Sequence, residues 1–463
     1  MSQLLADCLN EIFKYLENDN VTLYSCLLVN HLWCKVSVRI LWRSIRNYGT
    51  LINCLPNESK EILYENGIII SSSKPPMFNY ASFCKSLSIG VVNDNIELLL
   101  KQQQSIPIQN LLDNTYIVSQ EIFKLLMNQT SLRKLIMKFI PRRDIIFASF
   151  PGAKDCLKNL SELHCGSGIC PEFFYQLSQI CHKIQTLYIS SLKVVSNGLT
   201  DLISAQKNLK FLHMIHYYNC EGLKDIYNLL TKFPNTLNKL HIYAGRTHVP
   251  LSFIAKFTNL NEIVLSFYES DAFEDFKTLQ YVRFLQLKNL EFEYECPRNE
   301  LLIKFLELNG RYLKKFKIIK SNDQSLNLTI MKFCPNIEKL SGLTNNESEL
   351  LKMFFNNCQY LESIKIYCEG YFSEKNLFEV VTKYSPKNFY ELELNYSYYA
   401  KSELLPDDLE SFFVNWTHRV SQKPLSLIIT GINKYSFKKN DKNKKIVDKY
   451  VELGIVKFFE FEE

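Results

Sequence analysis

Leu160-Ser-Glu-Leu163-His-Cys165 is the stretch that decides the fold, because the same phrase keeps returning. It comes back as Ile184-Gln-Thr-Leu187-Tyr-Ile189, Leu209-Lys-Phe-Leu212-His-Met214, Leu237-Asn-Lys-Leu240-His-Ile242 and Leu260-Asn-Glu-Ile263-Val-Leu265. It continues as Leu287-Lys-Asn-Leu290-Glu-Phe292, Leu313-Lys-Lys-Phe316-Lys-Ile318, Leu361-Glu-Ser-Ile364-Lys-Ile366 and Phe389-Tyr-Glu-Leu392-Glu-Leu394. Weaker copies stand at Leu132-Arg-Lys-Leu135 and Ile337-Glu-Lys-Leu340, and near Leu427 and Val456. From Leu160 to Phe389 the first positions are separated by 24, 25, 28, 23, 27, 26, 24, 24 and 28 residues. One such phrase means little in a chain rich in leucine, but a run of them in phase is a structural period.

A period of roughly 20–29 residues around Leu-x-x-Leu-x-Leu is the leucine-rich-repeat signature. The end of the phrase alternates apolar and variable positions, as a strand with one buried face does. Between phrases lie helical stretches, for example Glu172–Ile180, Gly222–Phe233 and Glu300–Leu308. One strand plus one helix cannot bury its own apolar face, so neighbours must stack. The expected fold is therefore α/β: a curved solenoid over 84–463, with a parallel sheet on the concave side and helices outside. The asparagine that usually follows the strand in such repeats is mostly missing or displaced.

The residue between the two strand leucines points away from the core. Down the array this column reads His164, Tyr188, His213, His241, Val264, Glu291, Lys317, Ser341, Lys365 and Glu393. The next outward column includes Gly166, Ser190, Ile215, Tyr243, Ser266, Glu293 and Leu343. Histidines and aromatics fill the first half of the array, and charges of both signs fill the second. His164, Tyr188, His213, His241 and Tyr243 are the candidate target-binding residues, since Tyr and His offer amphipathic contacts at low entropy cost. The plainer reading is that such positions merely tolerate solvent.

Residues 1–46 are patterned differently. Leu5, Leu9, Ile12, Phe13 and Leu16 fall at helical spacing, and Asn18, Asp19 and Asn20 then interrupt. A second apolar stretch runs from Val21 through Leu23 to Val29, and a third carries Trp33, Val36, Val38, Ile40, Leu41 and Trp42. Three short helices are expected. Two of the chain's three tryptophans sit here, either as interface anchors or as packing against the next domain. Residues 47–83 read as a poorly patterned linker or first irregular repeat, with Ser71–Pro76 as a loop.

Leu5, Leu9, Ile12, Leu16, Leu23, Val29, Trp33 and Leu41-Trp42 resemble, in that order, the hydrophobic pattern of an F-box. The chain departs from it at Ala6, where the family usually has proline. The resemblance covers about a tenth of the chain and consists mostly of hydrophobic spacing. It implies a module that docks on a Skp-type adaptor, and through it a cullin-RING ubiquitin ligase of the SCF type. It implies contact through Leu5, Leu9, Ile12, Leu16, Val29, Trp33, Leu41 and Trp42. The repeats behind it would then act as a substrate receptor for a protein target that the sequence does not identify. The alternative is a repeat scaffold or regulator with no link to ubiquitination, its opening helices serving only as a cap.

Other function classes find little support. A net charge of +6 over 463 residues is small for a dedicated nucleic-acid binder. Met1–Asn10 shows no basic start or apolar run, so no signal peptide is expected, and Val21–Cys34 is too short to span a membrane. The 14 cysteines lie mostly in apolar stretches, as small buried hydrophobes in a reducing compartment would, so a cytoplasmic or nuclear protein is expected. No phosphate-binding loop, dinucleotide fingerprint or His-Glu-x-x-His occurs. Cys165, Cys170, Cys181 and His182 match no zinc spacing. Neither catalysis nor a cofactor is expected. Lys434–Lys449 reads as an exposed loop or a solvated helix face, and only weakly as an import signal.

Overall fold

The computed structural model describes residues 5–68, 76–102, 110–137, 150–221, 223–231, 235–321, 323–344, 348–369, 373–398, 400, 402–419, 423–431, 436–437 and 440–461. The chain divides into two compact units, Met1–Thr236 and Leu237–Glu463.

The first unit opens with three helices, α1 (Ala6–Lys14), α2 (Asn20–Leu27) and α3 (His31–Leu41). The Asn-Asp-Asn interruption works as a cap: the Asp19 carboxylate accepts from the Thr22 backbone N–H (3.0 Å) and hydroxyl (2.6 Å). Asn30 caps α3 in the same way through the Trp33 N–H (2.9 Å). Leu9, Phe13, Leu23, Cys26, Val36, Ile40 and Leu41 close over one another as a small core. Beyond it, the stretch expected as a poorly patterned linker holds two more helices, α4 (Tyr48–Asn53) and α5 (Asn57–Glu65), each with a buried face (Leu51 and Ile52; Leu63). Ser59 of α5 donates to the buried Glu121 carboxylate (2.7 Å). The expected loop at Ser71–Pro76 falls almost wholly outside the described residues.

Five parallel strands follow in this unit among the described residues: β1 (Ser86–Ser88), β2 (Lys134–Met137), β3 (Glu162–Gly166), β4 (Thr186–Val194) and β5 (Phe211–Glu221). The phrase leucine sits in one row across them, Leu87 beside Leu135, then Leu163, Leu187 and Leu212, and every one is buried. The second unit continues the rule with β6 (Lys239–Gly245), β7 (Glu262–Phe267), β8 (Asn289–Tyr294), β9 (Lys315–Ser321), β10 (Lys339–Thr344), β11 (Ser363–Cys368), β12 (Glu391–Tyr396), β13 (Leu425–Gly431) and β14 (Val456–Glu460). Its row is Leu240, Ile263, Leu290, Phe316, Leu340, Ile364, Leu392, Leu427 and Phe458.

Connectors run back along the buried side. The predicted helices appear at Pro171–Ile180, Leu223–Thr231 and Asn299–Asn309. After β6 and β7 the connectors are instead 3-10 helices, Leu251–Lys256 and Ser270–Tyr281. Their buried residues explain the difference. Leu251, Ile254 and Phe257, and then Phe273, Phe276 and Leu279, recur every three residues. That spacing keeps one face turned inward in a helix of three residues per turn, but not of 3.6. Phe273 and Phe276 pack on Phe292 of β8 (5.6 and 5.8 Å between ring centroids). Of the Lys434–Lys449 segment, Ser436 and Phe437 are buried, while helix Asp441–Glu452 carries Lys442, Lys444, Lys445 and Lys449 on its exposed face.

Three of the expected outward positions, Val264, Ser266 and Leu343, are buried. Leu343 is buried and aligns with Ile366, because β10 bulges between Ser341 and Leu343 and shifts the alternation by one. Gly342 absorbs the extra residue at φ +122°, and a Cβ there would lie 2.2 Å from Ile318 Cγ1.

A second column replaces the missing asparagines. Three or four residues before a phrase begins stand Cys156, Cys181, Gln206, Asn309, Cys334 and Cys358, all buried. The two amides reach back into the preceding repeat. Gln206 accepts from Ile184 N–H (3.0 Å) and donates to the Cys181 carbonyl (2.6 Å). Asn309 accepts from Phe284 N–H (2.7 Å) and donates to the Val282 carbonyl (2.9 Å). Asn309→Ala strands those buried groups, so it should cost about 1–3 kcal/mol; the urea midpoint of the full chain measures it.

Glu374 is buried at the start of helix Glu374–Tyr384 and accepts from the Tyr396 hydroxyl (2.9 Å). Burial raises its carboxyl above the ordinary 4.5. The folded chain therefore holds this proton to higher pH than the unfolded chain. Its stabilising contribution is whole below the unfolded value and declines as pH rises through the folded one. Glu374→Gln removes that decline, so the variant should gain stability relative to the parent as pH rises from about 4. Paired denaturation curves across pH test this, and a constant difference counts against it.

Candidate functional site

The docking candidates separate into two groups. Leu9 and Leu41 are buried in the core of the three-helix module, where they hold the helices together. The expectation names all eight as contacts because helical spacing marks an apolar face without saying what covers it. Leu16, Trp33 and Trp42 pack half-buried against the same core. Trp33 meets Phe13 edge-on (5.1 Å), and Trp42 lies against Tyr80 (4.4 Å), so each indole already has an internal neighbour. Leu5, Ile12 and Val29 are exposed. Sequence reasoning missed their companions Tyr15, Val21, Tyr24 and Leu28, of which Tyr15 is 92 % and Leu28 88 % exposed. Seven large apolar side chains thus face solvent within residues 5–29, on α1, α2 and the turn after α2.

The module is fixed to the first strand by the segment that follows its third helix. Ser44 forms a parallel bridge with Ser86, and Lys85 and Ser86 donate their N–H groups to the Arg43 carbonyl (2.7 and 2.9 Å). Arg43 also pairs with Glu17 (2.8 Å). These contacts cover the free edge of β1, as a terminal cap must.

The strand-face candidates also divide, with His164, Tyr188 and His213 in the first unit and His241 and Tyr243 in the second. In the first unit the register sets His164 beside Tyr188 and Tyr188 beside His213. Their rings form a continuous ladder, with centroids 4.0 and 4.9 Å apart, and Phe211 meets Tyr188 edge-on at 5.2 Å. His164 Nε2 donates to Glu162 Oε1 (2.6 Å), which also pairs with Lys134 (2.7 Å). Burial would raise the Glu162 carboxyl, but bonds from Lys134 and His164 hold it below its usual range. The result is a half-buried aromatic strip anchored at one end by a charged pair.

In the second unit His241 donates to Glu262 (2.6 Å), which also receives Lys239 (3.1 Å) and Asn289 (3.0 Å). Tyr243 is half-buried, and burial together with Glu293, Glu291 and Glu262 pushes its hydroxyl up to about 12. The later columns are charged and paired, as in Glu291–Lys315 (2.8 Å), Glu293–Lys317 (3.2 Å) and Glu393–Lys365 (2.6 Å).

A further aromatic pair was not foreseen. Tyr268 and Tyr294 stand at the C-terminal ends of β7 and β8, both exposed, their rings edge to face at 4.6 Å. In register Tyr294 aligns with the buried Phe267, so regular alternation would turn it inward. It is 60 % exposed because its backbone is left-handed, φ +68°. That conformation costs an ordinary residue about 1–2 kcal/mol. Gly245 beside them is also left-handed, at +56°. No periodicity announces a left-handed tyrosine.

Cys165 and Cys181 are core residues whose thiols are pushed up to about 12 by burial. No described helix is long and apolar enough to cross a membrane.

No protein-family model matches the chain, and no curated protein matches it. Among solved structures, a chain in the crystal structure of the yeast Rad7 and Elc1 complex is similar at 12 % identity and a TM-score of 0.42, over 95 % of this chain and 96 % of that one. Arginine decarboxylase of Paramecium bursaria Chlorella virus, bound to agmatine, matches 41 % of this chain and 54 % of its own at 11 % identity and a TM-score of 0.17. Neither score is high enough to carry an argument.

Proposed function

We propose that the chain is a non-catalytic adaptor: the substrate-recognition subunit of an SCF-type cullin-RING ubiquitin ligase, working in the cytosol or nucleus. The observation that carries this is the apolar surface left open on α1 and α2, within the residues that resemble an F-box. A helical pair presenting Ile12, Val21, Tyr24, Leu28 and Val29 to water suits an apolar groove on a Skp-type adaptor. The open strand face would hold the target protein. Tethering target and ubiquitin-charged enzyme to one scaffold raises their effective concentration, so the chain needs no chemistry of its own.

A second reading, that the helices serve only as the cap of a repeat scaffold, draws on the Ser44–Ser86 bridge and the Trp42–Tyr80 contact. The two readings differ in what exposed residues do. Ile12→Asp with Val29→Asp places charge on the open surface and leaves the module core alone. The purified variant should keep its helical circular dichroism yet lose at least about tenfold in retention of a purified Skp-type adaptor. Adaptor held equally by variant and parent, or by neither, leaves the cap reading standing.

The receptor role makes a separate prediction. In the first unit Tyr188→Ala with His213→Ala should abolish co-purification of the target while ligase subunits stay bound. In the second unit Tyr243→Ala should weaken it. A target that survives both substitutions is held elsewhere.

A further inference from the structure

A row of residues runs along the N-terminal ends of the strands in the first unit. Backbone hydrogen bonds hold it level: Lys85 N–H donates to the Arg43 carbonyl, Arg133 to Lys85, Ser161 to Arg133, Gln185 to Ser161 and Lys210 to Gln185, at 2.7–2.9 Å. Neighbouring strands lie about 4.8 Å apart, so the five steps from Arg43 to Lys210 cover about 24 Å. Arg43, Lys85 and Arg133 follow one another directly, and Arg133 and Lys210 are exposed.

The charge on this rim is nearly all of one sign. The segments that lead into β1–β5 are 84–86, 130–133, 153–161, 180–185 and 204–210. Beside Lys85, Arg133 and Lys210 they carry Lys154, Lys158, Lys183 and Lys207, and one carboxylate, Asp155. Seven cations against one anion leave a surplus of six, which equals the net charge of the whole chain, +6, so all other residues together balance. Asp155 is taken by Lys158 (2.7 Å), and Lys183 donates to the neutral Asn159 (2.9 Å). Arg43 pairs with Glu17, and Glu162, the first residue of β3, is taken by Lys134 and His164. Lys85, Arg133, Lys154, Lys207 and Lys210 make no ion pair among the described residues, and Asp201, on the helix before Lys207, meets none of them. Like charges held level on neighbouring strands repel. The corresponding row of the second unit avoids this: Lys288, Lys314, Glu338 and Glu362 follow one another, and Lys314 pairs with Glu338. The first unit keeps Lys85 beside Arg133 without such relief.

We propose that this rim binds an acidic segment of a partner protein, extended along the row from Arg43 to Lys210. Its glutamates or aspartates supply the countercharge that the chain itself does not. At about 3.4 Å per residue, roughly seven residues span the row. A single nucleic-acid strand fits less well, because such sites stack bases on aromatic side chains, and these segments hold no phenylalanine, tyrosine or tryptophan. The rim shares no residue with the α1–α2 surface or with the His164–Tyr188–His213 strip, and the proposal stands whether or not the chain joins a ligase.

The test uses the full chain and two fluorescein-labelled peptides, octaglutamate and octaglutamine, compared by fluorescence anisotropy. Octaglutamate should bind at least roughly tenfold tighter than octaglutamine, and more weakly as salt rises. Arg133→Glu with Lys210→Glu changes two exposed side chains, and should remove that preference while the helical circular dichroism is kept. Lys442→Glu with Lys445→Glu makes the same change of charge on the exposed helix face of the second unit and should leave the preference intact. The Ile12→Asp, Val29→Asp chain should bind octaglutamate as the parent does, whatever it does to adaptor binding. Equal affinity for the two peptides overturns the proposal. So does an equal loss from the two lysine and arginine pairs, which marks attraction to net charge alone. A labelled octathymidylate that binds tighter than octaglutamate, and loses that binding with Arg133→Glu and Lys210→Glu, also overturns it and makes the rim a nucleic-acid site.

Discussion

A strand and its connector hide one side of each other and leave the rest of their apolar surface bare. In both units that surface is covered by the next repeat, through one row of aliphatic side chains aligned strand to strand. The outward residue between the two strand leucines takes its position from this alignment. Because Leu163, Leu187 and Leu212 are held level, His164, Tyr188 and His213 are held level as well, and their rings must stack. In the second unit the same constraint sets lysines opposite glutamates on neighbouring strands, so that the charged columns largely neutralise themselves. A one-residue slip would turn such a strand over. At the β10 bulge such a shift is taken up by Gly342, in a backbone conformation that suits glycine.

Stacked repeats also bury backbone groups in the turns between them, and those groups need partners. Here they are supplied from the ends of the connecting segments, at positions 156, 181, 206, 309, 334 and 358. Cysteine fills the place at 156, 181, 334 and 358, where the buried thiol is a small group, and that of Cys181 donates to the Leu157 carbonyl (3.5 Å). Glutamine or asparagine fills it where an N–H and a carbonyl of the previous repeat would otherwise lie bare. At these two repeats the amide does the work of the asparagine that the repeat usually carries after its strand.

The row of strands and the outward column beside it could be read from the sequence because both follow from a period of two within a period of about twenty-five. The three-residue spacing of Leu251, Ile254 and Phe257 is equally present in the sequence, but three apolar residues are too few to separate one helical period from another. Other features have no local signal. Leu9 and Ile12 share an apolar pattern, and only packing decides that the first is core and the second surface. Helices α4 and α5 are short and weakly patterned, and they persist because they rest on the layer beside them. Tyr294 faces outward through a single backbone angle, and the alternation rule predicts the opposite.

The attachment of the opening helices bears on both proposed roles. Capping uses α3 and the segment after it, through Arg43, Ser44 and Trp42, at the edge of β1. The open apolar surface uses α1, α2 and the turn between α2 and α3. Different faces of one small module therefore serve the two tasks, and neither has to be given up for the other. A module bridged by backbone hydrogen bonds to the first strand cannot swing on a flexible tether. Whatever docks on its outer face is held in a defined orientation to the strip of His164, Tyr188 and His213 in the same unit. For a receptor that must present a target to a distant enzyme, such rigidity limits the positions the target can take, so the geometry of the repeats selects which of its surface groups come within reach.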